Sequence, residues 1–179
     1  MKLLSVAVPC YNSAEYMDKC IKTLLSGGED MEIIIVDDGS TKDNTAEIAD
    51  NYAKENPSIV KVIHQENGGH GEGVNQGMRN ATGLYYKVVD SDDWVNEEAL
   101  KKVLNKIREF KENDALVDMI LCNYVYEYAD GKKPRVVNYK NVFPIDKVFA
   151  FDDAKKFKKS QFIAMHTVIY RTQILKDIK

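Results

Sequence analysis

The first 128 residues alternate between short apolar runs and amphipathic segments. Two apolar, β-branched runs of strand length, "KLLSVAVP" and "MEIIIVDDGS", are closed by Pro9 and by a turn-forming cluster. Between them, apolar residues recur at helical spacing over residues 16–25, with Ser13 as the expected N-cap and a glycine pair as the stop. The pattern therefore predicts a strand, a helix and a second strand.

The same alternation continues to residue 128. It predicts helices at "DNTAEIADNYAKEN", "GEGVNQGMRNA" and "NEEALKKVLNKIREFKEN", and strands at "IVKVIH", "LYYKVVD" and "LVDMILCNYVYEY". Strands that are apolar throughout and alternate with helices indicate a sheet buried on both faces. We therefore expect an α/β protein with a Rossmann-like, mostly parallel sheet and helices on both faces.

The pattern changes after residue 128. "ADGKKPRVVNYK" predicts a hairpin, "FDDAKKFKK" a short amphipathic helix, and "HTVIYRTQILKD" a strand that leads into a helix. These elements indicate a small mixed β/α part. We expect residues 1–112 and 113–179 to be two halves of one domain. Because the chain stops on a helical pattern without a cap, we expect the second half to be truncated at its C-terminus.

Composition and charge narrow the class of protein. The 179 residues are enough for one domain with a sizeable core, and 25 basic against 28 acidic residues give a net charge of −3, which does not favour nucleic acid as a partner. The three cysteines lack the spacing of a disulfide framework or a structural zinc site. A strand begins within two residues of the N-terminus, and no apolar run approaches the roughly 18 residues of a spanning helix. We therefore expect a cytoplasmic protein.

Polar side chains follow three of the predicted strands. They are Tyr11 and Asn12, which follow Pro9 after the first strand, Asp37 and Asp38 at the end of the second, and Asp90, Asp92 and Asp93 after the fourth. Because ligands of parallel sheets collect beyond the carboxyl ends of the strands, we expect all three clusters to share one rim. A divalent metal such as Mg²⁺ or Mn²⁺ would relieve the repulsion among the last three carboxylates. The alternative is that they are solvated loop acids, with Asp93 capping the helix that begins near Asn96.

Four segments together resemble the nucleotide-sugar-binding domain of family 2 glycosyltransferases, which have the GT-A fold. "SVAVPCYN", "IIIVDDGSTKDNT", "NGGHGEGVNQGMRNATG" and "VVDSDDW" occur in the order and spacing of that family, over residues 3 to about 112, and "MHTVIYRTQIL" is similar to its acceptor-side segment. The resemblance implies inverting transfer of a sugar from a UDP-sugar to a glycan or lipid-linked acceptor, with Mn²⁺ or Mg²⁺. For such a cytoplasmic protein we expect a position at the inner face of the membrane, with peripheral association through a region beyond residue 179.

The resemblance also assigns roles in binding the nucleoside. Tyr11 resembles the aromatic residue that stacks on the uracil, beside the main chain of residues 7–9, which includes Pro9. Asp38 resembles the acid that accepts a hydrogen bond from the uracil N–H. Asp37 is expected to orient the loop.

Further roles concern the diphosphate and the metal. Asp92 matches the central metal-binding acid of the family's Asp-x-Asp motif and is thereby a catalytic candidate. Asp90 matches its ribose-side or metal-side partner, and Asp93 is a further candidate ligand. Ser91, between the acids, and Asn75 complete the predicted donor-binding set.

Two departures from the family pattern bear on function. Where many members carry Arg-Asn-x-Gly, residues 74–77 are "VNQG", so the arginine that contacts the base is missing. His70, between two glycines, either substitutes for it or belongs only to a turn, and Arg79 is expected on the helix surface. The residues before His166 include no acid, although the family's catalytic base usually lies there. These departures leave a non-catalytic sugar-nucleotide-binding module as the alternative function.

The catalytic base therefore has more than one candidate. His166 is the nearest proton acceptor, although a lone histidine at the start of an apolar strand is also typical of a structural hydrogen bonder. Asp152 and Asp153 are the other candidates, although acids in the first turn of a predicted helix are expected there in any case. Trp94 either packs against the sugar or fills the core. The alternating tyrosines, from Tyr124 to Tyr128, fit one face of a strand. The lysines of residues 155–159 form a solvated face that could attract a polyanionic acceptor.

Overall fold

The computed structural model describes residues 1–128, 130–159 and 161–178. The strands are β1 (Leu4–Cys10), β2 (Met31–Asp37), β3 (Val60–His64), β4 (Tyr85–Val88), β5 (Met119–Leu121), β6 (Tyr124–Tyr126), β7 (Arg135–Val137) and β8 (Val168–Arg171). The helices are α1 (Met17–Leu25), α2 (Thr45–Glu55), α3 (His70–Asn80), α4 (Glu97–Glu112) and α5 (Thr172–Asp177). Over these ranges, no helix combines the length and apolar character that a membrane crossing requires.

Six of the strands form one central sheet in the order β3-β2-β1-β4-β8-β5. The first four strands in this order run parallel to one another. Strand β8 runs antiparallel to both β4 and β5. The prediction of an α/β protein with a mostly parallel sheet is confirmed. As a result, the carboxyl ends of β1, β2, β3 and β4 all lie at the same edge of the sheet.

Strands β1 and β2 are buried along their whole length, because both faces of the sheet are covered. Side chains alternate between the faces, so Ile33 and Ile35 of β2 join one core cluster while Ile34 and Val36 join the other. The first cluster packs against α1 and α4, and the second against α3 and α5. This two-sided burial explains why these strands are mostly apolar, without the regular alternation of apolar and polar residues that a one-sided strand shows.

Helix α3 lies unusually close to β1. A Cβ atom on Gly77 would fall 2.3 Å from Cβ of Ala7 and 3.2 Å from the hydroxyl of Tyr86, and one on Gly73 would fall 3.1 Å from Cβ of Pro9. Glycine is therefore needed at residue 77 for the helix to reach its position. The close approach places the first turn of α3 beside the carboxyl end of β1.

A buried carboxylate joins the strands at the opposite edge of the sheet. Glu32, near the start of β2, accepts hydrogen bonds from the Ser5 hydroxyl and from the backbone N–H and hydroxyl of Thr82, and it contacts Lys61. Burial works to raise the pKa of Glu32, but the hydrogen bonds from Ser5 and Thr82 outweigh it and hold the pKa below its ordinary value. This network connects β1 and β2 to the segment that enters β4.

Three local predictions were wrong. The strand predicted over residues 116–128 is two strands, because β5 pairs with β8 in the central sheet while β6 pairs with β7 in a separate hairpin. The helix predicted over residues 151–159 is only a 3₁₀ turn, Phe151–Asp153, since the N–H of Lys155 donates to the carbonyl of Val142 instead of continuing a helix. Ser13 does not cap α1, and its hydroxyl accepts the N–H of Tyr11.

Two other predictions for the second half were a hairpin within residues 129–140 and a strand that leads into a helix. A hairpin exists, but its first strand, β6, comes before that segment, and Ala129 of the segment lies outside the described residues. Near the end of the chain β8 leads directly into α5. Strands β5 and β8 of this half extend the central sheet, whereas β6 and β7 form a separate two-stranded sheet.

Candidate donor-sugar site at the carboxyl edge of the sheet

The three polar clusters meet at the carboxyl edge of the sheet. Cys10 at the end of β1 pairs with Asp37 at the end of β2, and the N–H of Asp38 donates to the carbonyl of Cys10 at 2.9 Å. Across the other side of β1, the hydroxyl of Ser91 donates to the hydroxyl of Ser13 at 2.9 Å. The loop after β1 therefore contacts both acidic segments, as the topology predicted.

The loop after β1 is fixed to the loop after β2 by Asn12. Its N–H donates to the Ser40 hydroxyl at 2.9 Å, and its side-chain oxygen accepts the N–H groups of Thr41 and Lys42 at 3.1 and 3.0 Å. Asn12 has a φ of 50°, a left-handed conformation that asparagine tolerates better than most residues. The neighbouring Tyr11 is 48% exposed at the rim, as a residue that stacks on a base should be before the base binds.

Asp38 is buried and already forms three hydrogen bonds. It accepts the N–H of Gly68 and of Gly69, both at 2.8 Å, and the amide of Gln65 at 2.6 Å. Burial works to raise the pKa of Asp38, but these hydrogen bonds outweigh it and hold the pKa below its ordinary value. Since an ionised carboxylate has about four acceptor positions, about one remains for an N–H of a ligand.

Asp37 supports the loop rather than facing outward. One of its oxygens accepts the N–H of Ser40 at 3.1 Å, and the other lies 2.9 Å from Nδ1 of His64. The second ring nitrogen of His64 lies 3.0 Å from Asp50 of α2. The histidine thus joins β2, β3 and α2 beneath the loop that carries the acidic pair, in agreement with the orienting role expected for Asp37.

The His64 bridge predicts a pH-dependent contribution to stability. The hydrogen bonds to Asp37 and then Asp50 raise the pKa of His64, against a smaller effect of burial. A raised folded-state pKa means that the stabilisation is complete below the unfolded-state pKa of about 6.5 and is lost as the pH rises through the folded-state value. Because the side chain of His64 is 45% exposed, we expect the bridge to contribute only about 0.5 kcal/mol to the free energy of unfolding.

The measurement compares wild type with His64→Gln by urea denaturation at pH 6 and pH 8.5. The difference in unfolding free energy between the two proteins should shrink at the higher pH. Asp130→Asn, at an exposed loop acid, serves as the control and should show no such change. A difference that is constant with pH would show that the charged bridge contributes nothing.

The acids after β4 are partly exposed and repel one another. Burial, followed by repulsion from Asp92, raises the pKa of Asp93, while His166 and Lys87 act in the opposite direction. Within the described residues neither Asp92 nor Asp93 has a cationic side chain within 4.0 Å. Helix α4 is capped by Asn96, whose side chain accepts the N–H of Ala99 at 2.9 Å, so the alternative that Asp93 caps it is wrong.

A metal at this position would need ligands from a bound substrate. Over the ranges that the structure describes, no three His, Cys, Asp or Glu side chains converge as a ready-made metal site. Mg²⁺ typically takes only one or two protein carboxylates and completes its shell with water and phosphate oxygens. Carboxylates that repel one another and lack a cation suit such a partial ligand set.

His70 lies next to the acids instead of standing apart in a turn. It is the first residue of α3, and its Nε2 lies 2.7 Å from the carboxylate of Asp90. Farther along the helix, Asn75 lines a groove that also includes Tyr86 and Met165. Arg79 pairs with Glu72 on the helix surface, as expected. That His70 and Asn75 contact the donor stays a prediction.

His166 comes to the same rim from the second half of the chain. It lies in a 3₁₀ turn, Met165–Thr167, and its ring packs edge-to-face on Tyr124 with centroids 4.7 Å apart. The ammonium group of Lys87 donates to the backbone carbonyl of His166. His166 acts to lower the pKa of Asp93, against the larger effects of burial and of Asp92.

Lys87 is the residue that the sequence predictions missed. It is 8% exposed in β4, and burial lowers its pKa although Cys122 and Asp93 act to raise it. The signal was a lysine inside the apolar run "YYKVVD", because a lysine is rarely buried unless it has a partner. Lys87 connects β4, which leads into the acids, to the turn that carries His166.

Other candidates lie in more ordinary surroundings. Trp94 is 38% exposed with the ammonium of Lys19 2.9 Å from its ring centroid, so the core-filling interpretation is wrong. Asp152 and Asp153 are exposed, and Asp153 accepts the N–H of Ala150 within its own turn. Local capping therefore accounts for Asp153.

The chain was compared with known protein families and with solved structures. The model of the family described as Glycosyl transferase family 2 matches residues 5–179. The glycosyltransferase GlyG of Streptococcus pneumoniae serotype 4 is 40% identical over 133 residues, which are 73% of this chain and 42% of that protein. The crystal structure of S. aureus TarS 1–349 has a TM-score of 0.70 at 29% identity and covers 99% of this chain and 49% of that one.

A further structure, of S. aureus TarS 1–349 in complex with UDP-GlcNAc, has a TM-score of 0.67 at 28% identity, over 99% of this chain and 47% of that one. These similarities confirm the GT-A fold predicted from the four motifs. The chain spans less than half the length of these relatives.

Proposed function

Because the chain belongs to glycosyl transferase family 2, we propose that it transfers a sugar from a UDP-sugar to a glycan or lipid-linked acceptor, with inversion and with Mn²⁺ or Mg²⁺. This proposal is supported by the topology, which brings the segments that carry Asp38, Asp92 and His166 to one edge of the sheet. The structure of TarS 1–349 in complex with UDP-GlcNAc supports a uridine-linked donor.

In this proposal the nucleoside binds between the loops after β1 and β2. Tyr11 stacks on the uracil, and the main chain near Pro9 forms the wall of the pocket. Asp38 accepts the N–H of the base at its remaining acceptor position. Because Gly68, Gly69 and Gln65 hold its carboxylate in place, Asp38 would bind the base without first having to be ordered.

The diphosphate lies farther along the rim, next to the acids. Asp92, with Asp90 and Asp93 as further ligands, would hold the metal, which when bound stabilises the charge of the leaving diphosphate. The Nε2 atom of His70 contacts the carboxylate of Asp90, so the histidine orients that carboxylate and lies where the donor's ribose would be. Ser91 fixes the acidic segment to the loop after β1 through the hydroxyl of Ser13.

The acceptor reaches the site from the side of His166. An imidazole suits the task of removing the acceptor hydroxyl proton at neutral pH while that oxygen attacks the anomeric carbon. Lys87 fixes the turn through the backbone of His166, which leaves the ring available for this task. The edge-to-face contact with Tyr124 restricts the orientation of the His166 ring.

A sugar-nucleotide-binding module is the second candidate function. It is favoured by the absence of an acid at residues 163–165 and by the "VNQG" sequence at residues 74–77, where many members of the family have an arginine. Such a module would bind a UDP-sugar at the same rim and would not turn it over.

Product analysis on a panel of UDP-sugars, with UDP affinity measured in parallel, separates these functions. The full chain should release UDP from at least one donor in the presence of an acceptor. His166→Ala should lower turnover by about 100-fold or more while UDP affinity stays unchanged. UDP binding without turnover in the wild type would favour the module, and full turnover in His166→Ala would show that His166 is not the base.

A further inference from the structure

The described residues between 140 and 162 form a surface, here called the 140–162 surface, that exposes several large apolar side chains. Ile145, Val148, Phe151 and Phe162 are each at least 60% exposed, at 62, 69, 76 and 60%. Single exposed apolar residues are common in soluble proteins, but four within one segment of 23 residues mark a site of interaction.

The same surface is basic although the whole chain is acidic. It contains six lysines and three aspartates, a net charge of +3, so the rest of the chain carries −6. The six are Lys140, Lys147, Lys155, Lys156, Lys158 and Lys159. Among the described residues, no carboxylate lies within 4.0 Å of any of these ammonium groups.

The exposed side chains are not a by-product of a loosely folded segment. Beneath them Tyr139, Val142 and Phe143 form a small buried core, and Phe149 stacks on Phe143 with ring centroids 5.2 Å apart. The hydroxyl of Tyr139 donates to the carbonyl of Phe162 at 3.1 Å, which closes the segment. The segment thus buries one set of apolar residues and exposes another.

Three of these lysines and one of the exposed apolar side chains also lie together in space. Lys140, Lys147 and Lys155 line one shallow groove with Ile145, and Asp153 is the only carboxylate among the described residues that line it. A polyanionic glycan or a nucleic acid would use the lysines and leave the apolar side chains in water. A bilayer with acidic lipids uses both, because headgroup phosphates pair with lysines while apolar side chains enter the interface.

We propose that the 140–162 surface docks the protein on an anionic lipid membrane. The apolar side chains enter the acyl boundary, and the lysines lie at the level of the headgroup phosphates. The surface is continuous in the chain with the turn of His166, so docking would bring the acceptor side of the rim to the membrane. This contact lies within the described chain, whereas the sequence led us to expect it beyond residue 179.

Vesicle sedimentation of the full chain tests the proposal. The protein should bind phosphatidylcholine vesicles containing phosphatidylglycerol much more tightly than vesicles of phosphatidylcholine alone. Lys155→Glu combined with Lys156→Glu should weaken partitioning about 25-fold or more, since each lysine near an anionic surface contributes roughly fivefold. The control, Lys54→Glu with Lys102→Glu, changes the net charge equally at exposed positions elsewhere and should stay within about twofold of wild type.

A second variant tests the apolar part of the surface. Ile145→Ser with Phe151→Ser, at two largely exposed side chains, should keep the circular dichroism spectrum and lose about tenfold or more in partitioning. Equal binding to both kinds of vesicle, or equal losses in the control pair, would overturn the proposal. So would unchanged vesicle binding with an altered oligomeric state in light scattering, because a second copy would then cover the surface. UDP affinity should not change in any of these variants, which separates this proposal from the transferase function.

Discussion

Replacing Asp92 by asparagine should lower sugar transfer by at least about 100-fold and remove the metal dependence of UDP binding. Asparagine keeps the size of the side chain but removes the charge that attracts a divalent ion. Because Asp92 is exposed and forms no ion pair among the described residues, its replacement should leave the melting temperature unchanged.

The matched control is Asp130→Asn, which makes the same chemical change at an exposed loop acid in the hairpin. Its transfer rate and UDP affinity should equal those of wild type. Calorimetry of UDP in the presence of Mn²⁺ gives the affinities, and release of UDP gives the rates. If Asp92→Asn binds UDP as wild type does, with the same response to Mn²⁺, the metal assignment is wrong.

Replacing Gly77 by alanine should lower the free energy of unfolding by about 2–4 kcal/mol. The added methyl group would lie 2.3 Å from Cβ of Ala7, so α3 would have to move away from β1. That movement would also displace His70 and Asn75, which the same helix carries, and we expect UDP affinity to fall as well. Urea denaturation and calorimetry measure the two effects.

Gly71→Ala is the control within the same helix. Apart from its chain neighbours and the nearby backbone of its own helix, no atom of the described residues lies within 4 Å of the position of its added Cβ, and its backbone does not require glycine. Because alanine favours a helix over glycine, stability should stay the same or rise by up to about 1 kcal/mol. Equal losses in the two variants would show that general helix effects, rather than the close contact with β1, explain the Gly77 result.

The sequence correctly predicted the strands that are buried on both faces of the sheet. It did not predict the bounds of strands whose pairing depends on residues far along the chain. β1 and β2 are buried at every position and mostly apolar because both faces of the sheet are covered, and this pattern is visible in a single strand. Residues 116–128 look like one strand, yet β5 ends where its pairing with β8 ends, at Leu121 opposite Val168. No local pattern contains that partner.

The acids at the rim were predictable because parallel strands place their carboxyl ends together. Their hydrogen-bond partners were not. Asp38 is held by Gly68 and Gly69, thirty and thirty-one residues along the chain. Lys87 donates to a carbonyl 79 residues away, and only its unusual place in an apolar strand indicated that it needed a partner. The spacing of apolar residues indicates the face of an element on which a residue lies, but its contacts depend on residues that only the folded structure brings close.

Calorimetry of the full wild-type chain with UDP, with and without Mn²⁺, tests the central claim most directly. The claim is that the acids after β4, on the edge of the sheet that also carries Asp38, hold a divalent ion that allows the protein to bind a diphosphate. We predict UDP binding that weakens at least about tenfold when the metal is withdrawn, and no comparable metal-dependent binding of uridine, which lacks the diphosphate. UDP affinity that is the same with and without metal, or equal to that of uridine, would contradict it.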